Sequence, residues 1–89
     1  MMQIQKLYQQ AISYAAEKHA QNNQKIPGTN LPYVVHLSNV AMELFVASSA
    51  NDGLNMEFAV QVALLHDLIE DTDTTCEEIE DRFGVEIMN

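Results

Sequence analysis

The chain has 89 residues, with 13 acidic and 4 basic side chains and a formal net charge of −9. Hydrophobic residues make up 47% of it, too many for a disordered chain, yet no apolar run reaches the ~18 residues that span a bilayer. The charge argues against a nucleic-acid partner, and the single Cys76 excludes an intrachain disulfide. We therefore predict a cytoplasmic folded domain that binds neither membrane nor nucleic acid.

Two helices come first in chain order. Apolar side chains recur at steps of three and four over residues 4–21, which predicts a first amphipathic helix. Residues 22–32 form a polar connection with Pro27 and Gly28, a turn pair, at its centre. The same helical spacing returns over residues 34–48 and predicts a second helix.

The next two helices differ from each other. Residues 56–70 are apolar around nearly the whole circumference, which predicts a buried central helix. Thr75 and Glu78 have the spacing of a capping box at the start of a short fourth helix over residues 75–83. No strand pattern is visible, so the predicted fold class is all-α: a small helical bundle forming one domain over residues 1–89. We expect this domain to be truncated at its C-terminus.

Four ionisable residues lie at the end of the apolar helix: His66, Asp67, Glu70 and Asp71. At ~100° per residue they share one face of about 140°. Such groups are costly on a buried helix, and Arg82, the nearest base beyond them, is too far along the chain to pair by proximity. A divalent cation would compensate imidazole and carboxylate together. The alternative is that the acids are solvated at a fraying helix end.

Two further histidines are candidates. His36 begins the second helix and is the natural second imidazole, with a capping or surface histidine as the alternative. His19 shares the inward stripe of the first helix with Ile12 and Ala15. For His19 a hydrogen-bonded core residue is therefore the favoured interpretation over direct metal ligation.

These residues stand in an order that resembles a known family, the HD-domain metal-dependent phosphohydrolases. More narrowly, the chain is similar to the hydrolase domain of the RelA/SpoT type, including the small alarmone hydrolases. The resemblance runs from about Ala11 to Gly84 and is carried by Lys18-His19, Pro32-Tyr33-x-x-His36, Ala63-Leu-Leu-His66-Asp67, Glu70-Asp71-Thr72 and Phe83-Gly84.

The resemblance implies a helical fold with one Mn²⁺ bound by His36, His66 and Asp67. It implies that Glu70 and Asp71 are catalytic and activate the attacking water. The implied reaction is that of the stringent response, removal of the 3′-pyrophosphate from guanosine tetra- or pentaphosphate.

The resemblance also bears on substrate and completeness. It implies that Lys25, the only cation between His19 and Pro32, binds substrate together with His19. The family has a fourth ligand, an Asp, further along than residue 89, so we expect little hydrolase activity from this chain alone. Two alternatives stay open: a hydrolase of another nucleotide, and a truncated non-catalytic interaction or regulatory domain. If the domain is truncated, the apolar third helix lacks a cover, and a homo-oligomer is one way to bury it.

Overall fold

The computed structural model describes residues 3–50, 53 and 55–88. In these ranges no helix has the length and hydropathy that crossing a bilayer requires. The described residues also contain no strand, only an isolated bridge between Lys25 and Pro32. The all-α prediction is confirmed by the elements, which are α1 (Ile4–Gln21), α2 (Tyr33–Ser48), α3 (Met56–Leu65), α4 (Asp67–Asp71), α5 (Cys76–Phe83) and a 3₁₀ turn (Val85–Met88).

The core forms where α3 packs against both α1 and α2. Leu64 and Leu65 of α3 are 0% exposed, whereas Phe58 on the same helix is 41% exposed. The prediction of a buried central helix is thus confirmed for Leu64 and Leu65 but wrong for Phe58, because α1 and α2 do not cover the side of the helix that carries it. The core side chains come from every element: Ala11, Tyr14, Ala15, Leu37, Ala41, Val60, Leu64, Leu65, Leu68, Ile79 and Ile87.

The predicted single helix over residues 56–70 is also wrong, because His66 divides it into α3 and α4. The His66 backbone keeps helical angles (φ −65°, ψ −30°). Its ring nitrogen Nδ1 lies 3.1 Å from the carbonyl of Ala63, the acceptor that an unbroken helix pairs with the N–H of Asp67. A side chain that enters the backbone ladder in this way interrupts the helix.

Local turn and capping signals are confirmed. The N–H of Thr29 donates to the carbonyl of Ile26 across Pro27 and Gly28, and Gly28 has φ +80°, as the third position of a type II turn requires. At the start of α5, the Thr75 hydroxyl accepts from the Glu78 N–H and the Glu78 carboxylate accepts from the Thr75 N–H. These contacts are the predicted capping box.

Candidate metal centre and active site

The site is centred on the junction between α3 and α4. There the Nε2 atom of His66 lies 2.9 Å from the Oδ1 atom of Asp67. The other ring nitrogen, Nδ1, faces the Ala63 carbonyl at 3.1 Å. Because a carbonyl can only accept, Nδ1 must carry a hydrogen and donate it. In the neutral ring, Nε2 then presents its lone pair beside a carboxylate oxygen.

This pair fits a divalent ion. A nitrogen lone pair and a carboxylate oxygen in contact repel each other unless a proton or a cation lies beside both. Histidines that bind metals usually donate their second ring N–H to a carbonyl or carboxylate, as His66 does. Two ligands at about 2.1 Å and at right angles are about 3 Å apart, close to the observed separation. The His66 side chain is 60% exposed, so an ion can reach it from solvent.

His36, the third predicted ligand, lies one aromatic ring away from this pair. Its ring centroid is 5.2 Å from that of Tyr33, and the Tyr33 hydroxyl donates to Oδ2 of Asp67 at 3.2 Å. In the part of the chain that the structure describes, no three His, Cys, Asp or Glu side chains form a group that could hold a metal. The structure thus brings His66 and Asp67 together and leaves His36 apart, and its role as a ligand stays a prediction.

Tyr33 belongs to the site although the sequence indicated it only as part of a helix entry. Several effects together raise the pKa of the Tyr33 phenol to about 12. The largest is its burial, followed by the charge of Asp67 and the hydrogen bond to Asp67, and then by the charge of Asp71 and a hydrogen bond to it. The phenol therefore stays protonated at neutral pH and donates to Asp67. Its place in the Pro-Tyr-x-x-His pattern, one helical turn before His36, is the signal that could have revealed it.

Glu70 and Asp71, the two predicted catalytic carboxylates, occupy different surroundings on α4. Glu70 is exposed, whereas Asp71 is partly buried and lies close enough to Tyr33 to affect its pKa. Both belong to the same five-residue helix as Asp67. α4 therefore carries three of the predicted site residues, and their catalytic roles stay predictions.

His19 is 1% exposed, and its ring stacks on that of Tyr33 with a centroid distance of 4.2 Å. Its Nδ1 atom forms a hydrogen bond with the side-chain oxygen of Gln24, whose amide nitrogen donates to the backbone carbonyl of Asp71. This supports the core-histidine interpretation, and the predicted substrate contact of His19 stays a prediction. Gln24 has no sequence signal, because its partner lies 47 positions away.

A cavity of about 350 Å³ lies beside these residues, and its lining includes His19, Gln24, Lys25 and Tyr33. Lys25 is exposed at this cavity. A larger cavity of about 460 Å³ between α1 and α5 contains none of the predicted site residues. Gln24 connects the loop that carries Lys25 to α4 through the Asp71 carbonyl, and Tyr33 connects α2 to α4 through Asp67.

The chain thus combines an all-α bundle with a His-Asp pair at a helix junction and further carboxylates one turn on. The HD domain family matches residues 11–89, and the chain belongs to this family.

Three relatives carry the same enzyme name. The chain is 46% identical over 76 residues to the guanosine-3′,5′-bis(diphosphate) 3′-pyrophosphohydrolase of Aquifex aeolicus, covering 85% of this chain and 10% of the relative. It is 44% identical over 80 residues to the enzyme of that name, MESH1, from Xenopus tropicalis, covering 90% and 42%. The human MESH1 is 42% identical over 79 residues, covering 88% and 41%. The chain thus spans less than half the length of each.

Proposed function

We propose that this chain supplies the HD-domain part of a metal-dependent hydrolase that removes the 3′-pyrophosphate of guanosine tetra- and pentaphosphate. The observation that carries the proposal is the likeness to relatives named for this reaction, at 46% and 44% identity over 85% and 90% of the chain. The paired donor atoms of His66 and Asp67 support it, because they suit a divalent ion.

In this proposal His66, Asp67 and His36 hold the metal, and Mn²⁺ is the ion we favour. When bound, such an ion lowers the pKa of a water molecule and offsets phosphoryl charge. Tyr33 occupies Oδ2 of Asp67, which leaves Oδ1 turned toward His66. The phenol thereby fixes the orientation of the carboxylate.

Glu70 and Asp71 orient the attacking water and accept its proton. Both side chains are on α4, the helix that Asp67 begins, about one turn along from Asp67 itself. Lys25 meets the phosphates from the loop side, and we retain His19 among the residues that shape the substrate pocket. In this assignment side chains of α4 accept the proton, and the loop that carries Lys25 recognises the charge of the substrate.

The proposed setting is the cytoplasm, with the nucleotide of the stringent response as partner. A net charge of −9 disfavours a nucleic-acid partner because phosphate backbones repel it. Self-association of the chain would cover apolar side chains such as Met42 and Val46, which are 61% and 63% exposed.

The test is a pyrophosphate-release assay with Mn²⁺ and guanosine tetraphosphate. Because the chain spans 42% of the Xenopus relative, residues 11–89 are also grafted in place of the matching segment of that protein. We expect activity in the chimera and little in chain 1–89 alone. Glu70→Gln and Asp71→Asn should each lower kcat about 100-fold or more, while Mn²⁺ affinity stays close to that of the parent.

Glu77→Gln is the matched control, because it makes the same chemical change on an exposed residue of α5 and should leave kcat unchanged. Parent-like turnover by Glu70→Gln and Asp71→Asn would contradict the assigned roles. Hydrolysis of other nucleotides with none of guanosine tetraphosphate would favour the alternative substrate. An inactive chimera that still binds a partner protein would favour the non-catalytic alternative.

A further inference from the structure

One buried histidine contacts side chains that hold both ends of α4. The His19 ring stacks on Tyr33, and its Nδ1 atom forms a hydrogen bond with Gln24. Tyr33 donates to Asp67, the first residue of α4. Gln24 donates to the backbone carbonyl of Asp71, the last residue of α4. His19 therefore contacts both the side chain that binds the first residue of α4 and the side chain that binds its last residue.

α4 depends on such supports because so short a helix is not stable by itself. It is five residues long, whereas an isolated helix shorter than ~12–15 residues is marginal in water. It has no side-chain hydrogen bond at its N-cap, and its last carbonyls need partners from outside the helix: the N–H and hydroxyl of Thr72 donate to the carbonyl of Leu68. Gln24 supplies one of these partners from 47 positions earlier in the chain.

The directions of the hydrogen bonds are determined by chemistry. The Asp71 carbonyl can only accept, so Gln24 presents its amide NH₂ to Asp71 and its oxygen to His19. Nδ1 of His19 must then carry the hydrogen. The buried Nε2 atom has no hydrogen-bond partner among the residues that the structure describes. Such unpaired groups are unfavourable and persist where another constraint requires them, which for His19 is its simultaneous contact with two supports.

We propose that His19 and Gln24 are positioning residues that, with Tyr33, clamp both ends of α4 and hold Asp67 and Asp71 in place for catalysis. The catalytic part of this inference rests on the proposed function, whereas the clamp itself does not. His19 and Gln24 act through Tyr33 and the α4 backbone, so neither needs to touch the reacting atoms.

The key variant is Gln24→Glu, which keeps the acceptor for His19 and removes the N–H that donates to Asp71. The matched control is Gln21→Glu, which adds the same charge at an exposed position near the end of α1. Amide hydrogen exchange and imidazole ¹⁵N shifts are measured by NMR on chain 1–89 without metal or substrate. We expect about tenfold faster exchange across residues 68–72 in Gln24→Glu, with α5 and the control unchanged.

The ¹⁵N shifts should show hydrogen on Nδ1 of His19 in the parent and in Gln24→Glu. Parent-like exchange of the α4 amides in Gln24→Glu, or a His19 ring with hydrogen on Nε2 alone, would overturn the clamp. A second variant, His19→Asn, keeps a donor toward Gln24 but loses the stack on Tyr33, and it should also accelerate exchange in α4. If this buried substitution prevents folding, the amide exchange rates of Gln24→Glu alone test the clamp.

The kinetic arm uses the chimera. Gln24→Glu should lower kcat about tenfold or more, and because its carboxylate also lines the cavity beside Lys25, KM should rise as well, whereas Gln21→Glu should change neither. Loosened α4 amides with parent-like kcat would overturn the catalytic part of the proposal. A chimera without activity would count against the proposed function, and the exchange data would still decide the clamp.

Discussion

α4 and α5 are two short acidic helices that follow each other in the chain, and they are held in opposite ways. α5 starts with the Thr75–Glu78 capping box, so its N-terminus is stabilised by residues of its own sequence. α4 has no side-chain cap at its N-terminus. Thr72 supports its C-terminus locally by donating to the Leu68 carbonyl, and its other supports, Tyr33 and Gln24, lie 34 and 47 positions away. Each helix adds one fully buried apolar side chain to the core, Leu68 from α4 and Ile79 from α5.

This difference separates two uses of acidic residues. Glu77 and Glu78 of α5 are exposed and belong to the first turn, where negative charge favours the helix. Asp67 of α4 also lies in a first turn, but Asp67 and Asp71 differ from the α5 acids in being partly buried and held close to a phenol. In the proposed function α4 carries the site residues, whereas the charges of α5 stabilise its own helix.

The largest expected effect comes from the feature that the two helices share. Leu68→Ala and Ile79→Ala each remove a side chain that is 0% exposed, so each should lower the free energy of unfolding by about 2–5 kcal/mol. Urea denaturation followed by circular dichroism measures the change. Val85→Ala, at a side chain that is 59% exposed, is the control and should cost far less. A loss below about 1 kcal/mol for Leu68→Ala would mean that α4 is not anchored in the core.

The next effect is a dependence of stability on pH, and it arises from the contact between Tyr33 and α4. Because the pKa of Tyr33 is raised from 10.0 to about 12, its protonated form stabilises the fold below pH 10, and this stability is lost as the pH rises through 12. The difference in unfolding free energy between the parent and Tyr33→Phe should therefore shrink across this range. Without metal, Asp67→Asn should move the phenol's absorbance titration toward 10. An unchanged titration midpoint would show that Asp67 does not act on Tyr33.

A smaller effect is expected at the local cap of α5. Thr75→Ala removes the oxygen that accepts from the Glu78 N–H and should lower the unfolding free energy by about 1 kcal/mol. Thr75→Ser keeps this acceptor and should remain close to the parent. Hydrogen exchange should accelerate in α5 and stay unchanged in α4. Equal acceleration in both helices would show that they unfold together and would remove the contrast between them.

The smallest effect belongs to the ion pair between α1 and α5. The Lys18 and Glu78 side chains are 3.8 Å apart and 24% and 45% exposed, so solvent screens their attraction. Lys18→Met should change the unfolding free energy by less than about 0.5 kcal/mol, and salt should reduce the difference further. A cost above about 1 kcal/mol would show that the Lys18 ammonium, through Glu78 and the Tyr14 ring together, stabilises the packing of α1 and α5 more than a screened ion pair does.

The sequence by itself determined α1, α2 and α5 and their local ends. The α1 and α5 predictions and the Pro27–Gly28 turn agree with the structure to within a residue, because helical periodicity, capping and turn chemistry act over a few positions. The His66–Asp67 pair was predicted for the same reason, since its two members are neighbours in the chain.

Only the tertiary structure decided how the site is assembled. It placed Tyr33 on Asp67 and Gln24 on Asp71, it buried His19 between these supports, and it left the side of Phe58 exposed. The break at His66 arose from a side-chain contact with a backbone carbonyl that the apolar pattern does not encode. Contacts across 34 and 47 positions leave no local periodicity, because they depend on how α1, α2 and α4 pack and not on the conformation of any one segment.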